Sequence, residues 1–318
     1  MKKQLFLLGF AICSMTMVGQ TEKKESWYFK LGGSYFLQTA STEFPVVGGQ
    51  LPNRDVYEGT LGNNKLASRE SVTGSFGEGF RAGVTGGYRF NTRLGVEMGV
   101  NYYTSKTKTM AQTTNRLISV NQTNGAATYL SFTADGEIKA FDLAPALVLF
   151  LGESHGFEPY TKVGVIVPVH GTLDIETNRD FKTFVGANQV AETKAYSKDV
   201  VKPNPTIGFM AALGTSYKLG KNISAFAEVE YRNFTVHGKT KETEIYTENG
   251  VDKLNQTTSF REASYAAIHT NYVDRLDVKS NNKEYNAAGY DSTKPMDELS
   301  SYVGISGLGL TLGLKYSL

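Results

Sequence analysis

Apolar residues alternate with polar or small ones along several stretches of this 318-residue chain, the pattern of strands with two unlike faces. The last stretch, Tyr302 to Leu318, shows it most clearly. Tyr302, Leu308, Leu310, Leu312, Leu314, Tyr316 and Leu318 share one face, and Gly307, Gly309, Thr311, Gly313, Lys315 and Ser317 share the other. A helix is disfavoured there, since each glycine costs it about 1 kcal/mol. The same alternation predicts seven earlier strands, at about 26–38, 80–90, 93–104, 137–151, 157–170, 205–219 and 223–234. In the first, Trp27, Phe29, Leu31, Tyr35 and Leu37 oppose Tyr28, Lys30, Ser34 and Phe36. In the fifth, Val163, Val165, Val167 and Val169 oppose Glu158, Tyr160, Lys162 and His170. Pro145 interrupts the fourth, and a bulge is expected near it because proline cannot donate to the ladder.

The connections sort by length. Asn91-Thr92, Gly152 to Gly156 and Gly220 to Asn222 are short turns, whereas about 39–79, 105–135, 171–204 and 237–301 are long and polar. Alternating short and long connections between an even number of strands are the arrangement of an outer-membrane barrel, with both termini on the short-turn side. Each strand reaches the ~9–11 residues that a tilted membrane crossing needs. Trp27, Tyr88, Phe90, Phe157, Tyr217 and Tyr316 fall near the short-turn ends, and Tyr35, Phe80, Tyr102, Phe141, Tyr231 and Tyr302 near the long-loop ends. Two aromatic girdles are therefore expected at two membrane interfaces. The expected fold is all-β, an eight-stranded antiparallel transmembrane β-barrel. Asn249-Gly250 has the composition of a hairpin tip, which allows strands above the membrane or, as the alternative, a ten-stranded barrel.

Thr311, Gly313, Tyr316 and Leu318 fit the C-terminal assembly signal of Gram-negative outer-membrane barrels, with Leu318 where that signal carries an aromatic residue. With this terminal strand, the segment F-E-P-Y-T-K-V-G-V and the strand pattern, the chain resembles the outer-membrane-protein-A-like or porin-like family of small eight-stranded barrels. The resemblance implies outer-membrane lipid and the barrel assembly machinery as partners, a monomer, and loops at the cell surface.

Residues 1–19 read as a signal peptide, with Lys2 and Lys3 ahead of the apolar run Leu5 to Val18, leaving 20–318 as the barrel domain. Loss of Lys2 and Lys3 lowers Lys+Arg from 33 to 31, equal to Asp+Glu 31, so no basic excess exists for nucleic acid. Cys13, the sole cysteine, leaves with the signal, and the mature chain has no disulfide. Ile12 stands where a lipidation motif wants a small residue.

Strand parity points Lys30, Arg81, Arg89, Lys162, Lys218, Arg232 and Lys315 into the bore, together with Glu97, Asp142, Glu158, Glu228 and Glu230. An eight-stranded bore is just wide enough to be filled by side chains, so these charges are expected to pair and plug it. His170 and His237 fall at the external rim, where a nearby Asp or Ser would make a dyad, but no spacing singles out a partner. No His/Asp cluster has metal-ligand spacing and no glycine-rich loop opens a helix, so neither metal nor cofactor is expected. Tyr246, Tyr265, Tyr272, Tyr285 and Tyr290 in the last long stretch suit either a sugar or protein ligand or packing of the loop on itself. The expected function is non-enzymatic: surface recognition or adhesion through external loops, or an envelope-structural role. The alternatives are a narrow small-solute pore and a lipid-modifying or proteolytic barrel enzyme.

Overall fold

The computed structural model describes residues 26–59, 64–204 and 206–318, so the expected signal peptide lies outside the described residues. The strands, in chain order, begin with β1 (Ser26–Gln38), β2 (Thr42–Glu43), β3 (Asn53–Tyr57), β4 (Leu66–Ser71), β5 (Thr73–Gly74), β6 (Gly79–Arg89) and β7 (Leu94–Ser105). The middle of the chain forms β8 (Lys108–Val120), β9 (Ala127–Phe150), β10 (Phe157–Val185), β11 (Asn188–Pro203), β12 (Gly208–Lys218) and β13 (Ile223–Asn233). Then follow β14 (Thr235–Glu248), β15 (Val251–Asp252), β16 (His269–Val273), β17 (Met296–Leu299), β18 (Tyr302–Gly304) and β19 (Gly307–Ser317). One helical turn, Tyr265–Ile268, precedes β16, with the Ser264 hydroxyl capping it.

Eight strands pair antiparallel in a closed circuit, β1-β6-β7-β9-β10-β12-β13-β19 and back to β1. Closure removes every free edge from this part of the molecule. The closing pair runs from Tyr28↔Ser317 to Gln38↔Gly307, which is the contact between first and last strands that the sequence implies. Parity is kept around the circuit. Leu31, Val84, Leu147, Val163, Leu213 and Leu310 point outward and are exposed, while Lys30, Glu97, Asp142, Lys162 and Glu228 point inward and are buried. An apolar belt of this extent is suited to lipid rather than water. The girdles are paired rings: Trp27 with Tyr88 at 5.0 Å and Phe157 with Tyr217 at 4.6 Å on the short-turn side. Tyr35–Phe80 and Tyr102–Phe141, both at 4.8 Å, lie on the long-loop side.

Two strands do not stop at the upper girdle. β9 has 24 residues and β10 has 29. Their upper halves pair with each other from His170↔Phe141 to Phe184↔Ala127. They carry the same sheet upward into an extension in the order β4-β3-β8-β9-β10-β11-β14-β16-β17, with β3∥β8 and β16∥β17 the parallel contacts. The connections 105–135 and 171–204 are therefore largely strand, and 39–79 and 237–301 are strand in part. Inside this extension lies an apolar core that includes Phe76, Met110, Phe132, Ile138, Leu173, Ile175, Phe181, Val201, Phe234, Tyr246 and Ile305. The expected hairpin is present. Asn249 (φ 49°) and Gly250 (φ 80°) both take left-handed backbone, as a two-residue type I′ turn requires, and Glu248 faces Val251 across it. Its strand β14 pairs with β11, β16 and β18, so the hairpin adds no strand to the circuit and the ten-stranded alternative is not realised.

The bulge differs from expectation. Pro145 keeps register with Met98, and the β9–β10 ladder lapses only between Ala146 and Leu143. The register shift falls between Pro168 and His170 on β10, so the extra residue is Val169. One added residue inverts the parity of all that follows. His170, expected to face inward, is exposed, and Leu173, Ile175 and Phe181 turn into the extension core.

Candidate functional site

The bore is the first candidate. β1, β7, β10 and β13 each deliver one charge at the same height, and these form an alternating square. Lys30 Nζ lies 2.5 Å from Glu97 and 3.0 Å from Glu228, and Lys162 Nζ lies 2.6 Å from Glu228 and 3.6 Å from Glu97. Tyr28 donates to Glu97 at 3.1 Å and Tyr160 to Glu228 at 2.8 Å. Opposite small residues make room for these rings: a Cβ on Gly87 would lie 2.2 Å from Tyr28 Cζ, and one on Gly214 would lie 2.7 Å from Tyr160. One layer up, Arg81 grips Glu230 with two bonds of 2.6 and 2.7 Å and reaches Ser34 and Thr311. Above it Arg232 meets Asp142 at 3.1 Å, Asn101 donates to the same carboxylate, and the guanidinium lies over the Phe36 and Tyr103 rings. At the short-turn end Glu158 accepts from Arg89 at 2.6 Å and from Lys315 at 3.1 Å.

Eleven of the twelve charges picked out by parity are therefore brought into ion pairs; Lys218 instead stands exposed beside the Gly220 turn. Parity also places Tyr28 and Tyr160 level with the lysines, but nothing in the sequence marks them as carboxylate partners. Arg232 Nε is buried with no partner among the described residues. The space left between these side chains is a cavity of about 40 Å³, room for little more than a few waters.

The four residues of the assembly signal lie along β19. Thr311 shares a 2.7 Å hydrogen bond with Ser34, and a side chain on Gly313 would strike Leu31 O at 2.2 Å. Tyr316 joins the outward aromatics, and the Leu318 N–H donates to Trp27 O at 3.0 Å. All four bear on the β1–β19 seam.

The extension is the second candidate. Its tyrosines divide: Tyr246 is in the core and Tyr272 packs against it, whereas Tyr265 stacks on His269 at 3.9 Å, and Tyr265 and Tyr285 stay exposed. Burial raises the Tyr246 hydroxyl to about 12, with Glu248 beside it adding to the effect. Two arginines enter this core without a carboxylate ion pair among the described residues. Arg179 donates to Ser197 and Arg261 to Leu254 O, and burial lowers the pKa of each. Across β8–β11 and the Asn249-Gly250 hairpin lies a concavity of about 490 Å³ whose polar lining includes Thr114, Ser131, Asn178, Asp180, Lys194 and Tyr196. His237 Nδ1 lies 3.2 Å from Ser300 Oγ and 3.4 Å from Asn204, a pairing that the sequence did not single out. Among the described residues no carboxylate hydrogen-bonds this ring, so the group lacks the third member that orients a catalytic base. No cluster of metal-ligating side chains occurs among the described residues.

At the upper rim, Glu78 accepts from Tyr35 at 3.0 Å, from Lys106 at 3.3 Å and from Lys108. The Lys108 contact, helped by Tyr35 and Lys106, holds its carboxyl down at about 2.

No curated protein matches the sequence. Among solved structures, the chain is similar to the outer membrane protein OprG from Pseudomonas aeruginosa, at 11% identity and a TM-score of 0.40, over 94% of this chain and 98% of that one. Residues 6–260 match the family described as outer membrane protein beta-barrel domain. The closed circuit, its apolar belt and this match, which spans most of the sequence, lead to one conclusion: the chain belongs to the outer membrane protein beta-barrel family.

Proposed function

We propose that residues 20–318 form an eight-stranded barrel crossing the outer membrane, with a bore closed by ion pairs, and that it carries a folded sheet for recognition of a sugar or protein at the cell surface. The observation behind this reading is the unbroken passage of β9 and β10 out of the belt into an extension with its own apolar core. At ~3.3 Å per residue, the 29 residues of β10 reach ~95 Å, several times a hydrocarbon band of ~25–30 Å. Chain that served only to join neighbouring strands would not need such a core. The reading is non-enzymatic, and the stacked ion-pair layers in the bore weigh against the pore alternative.

The test has two arms. Purified protein in planar bilayers is expected to conduct weakly, and steady large conductance would favour the pore. Cells displaying the full chain are expected to bind components of glycan and matrix-protein arrays that cells displaying a version with 240–298 replaced by a short Gly/Asn turn do not. Equal binding by both would remove recognition from this part of the extension.

A further inference from the structure

The outward wall of the barrel is not uniform. On β1, Gly33 faces Ala82 of β6 on one side and Leu312 of β19 on the other, and Ala82 in turn faces Tyr102 of β7. Two small residues side by side leave a trough of about 790 Å³, walled by Tyr35, Phe80, Tyr102, Leu310 and Leu312. Packing does not require a glycine here. A Cβ on Gly33 would meet nothing nearer than Arg81 O at 3.9 Å, in contrast to the clashes at Gly87 and Gly214. The missing side chain leaves space on the lipid side only.

The trough opens upward into a second pocket of about 730 Å³ that shares Tyr35, Phe80 and Thr104 and adds Lys106 and Glu137. The charges at this mouth are unevenly satisfied. Lys108 and Glu78 are both mostly shielded and paired. Glu137 is met by Lys139 at 3.3 Å and by the Thr104 hydroxyl at 2.9 Å, and beyond Lys139 the row continues away from the pocket through Asp174, Lys198 and Glu244. Lys106, with 65% of its side chain exposed and a single 3.3 Å contact to the Glu78 that Lys108 also engages, is the least satisfied cation at the mouth.

We infer that this wall is a binding site for a phosphate-bearing lipid of the outer leaflet, one acyl chain lying in the Gly33–Ala82 trough and the phosphate meeting Lys106. The inference rests on the proposed crossing of the membrane, which puts the long-loop girdle in the outer leaflet. Bulk lipid already covers the wall, so selectivity comes from fit to the trough and from the charge at its mouth, where one lysine near a membrane surface contributes about 1 kcal/mol.

The test uses the full chain in detergent, titrated with dimyristoyl phosphatidic acid and followed by native mass spectrometry. One lipid is expected to stay bound per barrel. Lys106→Gln, and replacement of the lipid by dimyristoylglycerol, should each weaken retention about fivefold, the equivalent of about 1 kcal/mol. Gly33→Phe should abolish the single adduct, and Val163→Phe on another part of the wall should leave it intact. Heat-modifiable migration of the same samples reports the barrel itself, so loss of that shift in the unsubstituted protein would sink the membrane reading separately. Lys106 lies between strands, so its variant remains informative if Gly33→Phe does not fold. Equal retention of the phosphatidic acid and the diglyceride, retention unchanged by both variants, or a doubled mass in place of the lipid adduct would overturn the inference, the last by showing a second copy of the chain on this wall.

Discussion

Arg81 and Glu230 show what a single lumen residue is worth. Both are buried, and their two-bond contact satisfies groups that water cannot reach. Removing one partner strands the other, a change that costs about 3–5 kcal/mol for buried pairs. Arg81→Ala is therefore expected to lower the denaturant midpoint of the detergent-folded barrel strongly, and Arg81→Ala with Glu230→Ala to recover much of the loss. A double variant no better than the single would mean that the pair is not the unit of stability. Glu78 gives a pH dependence with a definite sign. Its folded pKa of about 2 lies below the ordinary 4.5, so its contacts stabilise the rim above pH 4.5 and are lost as pH falls toward 2. Glu78→Gln should flatten that part of the acid-unfolding profile, and an unchanged profile would assign acid sensitivity to other carboxylates. The lumen residues were legible because period-two parity decides face without any knowledge of partners. Lys218 was misplaced because parity carries no information on where a strand leaves the barrel. Pairings such as His237 with Ser300 join residues far apart in the chain, and no local pattern encodes them.

At the scale of the element, the ring strands were legible within the belt, although the last begins at Gly307 and not at Tyr302, which lies on β18 opposite His237 of β14. Lipid on one side and a packed bore on the other impose alternation at every step. β8 and the upper β9 and β10 escaped because their outer faces meet water and are filled by Thr, Ser, Asn and Lys, which read as loop. Even so, the core set Phe132, Ala134 and Ile138 keeps the period of two within that polar background. The Val169 bulge is the junction between the two regimes. Deleting Val169 should restore one register along β10 and swing Leu173, Ile175 and Phe181 to the outer face. The expected outcome is a barrel that still migrates as folded without heating but whose extension is cut rapidly by protease on intact cells. Protease resistance equal to that of the parent would show that the bulge does not set the face of these residues.

For the whole molecule, the ring and the extension answer to different solvents and separate demands. Replacing 240–298 with a short turn removes most of β14 with Tyr246 and so strips part of the extension core, yet it takes no residue from the closed circuit. Loop-closure entropy changes by only roughly 0.6 kcal/mol per doubling of length, so joining β13 to β19 by a short path is not opposed by the chain. With the extension at the cell surface, as proposed, the continuity of β9 and β10 would have a consequence for encounters there. A floppy loop loses part of its contact energy to ordering itself when it captures something. Here the extension is already ordered, by the β9–β10 ladder that continues upward from the belt and by the β10–β11 ladder beside it. A ligand of the kind proposed would meet a relief of fixed height and tilt: matching shapes would be held at little entropic cost, and near misses turned away because the surface does not mould itself to them.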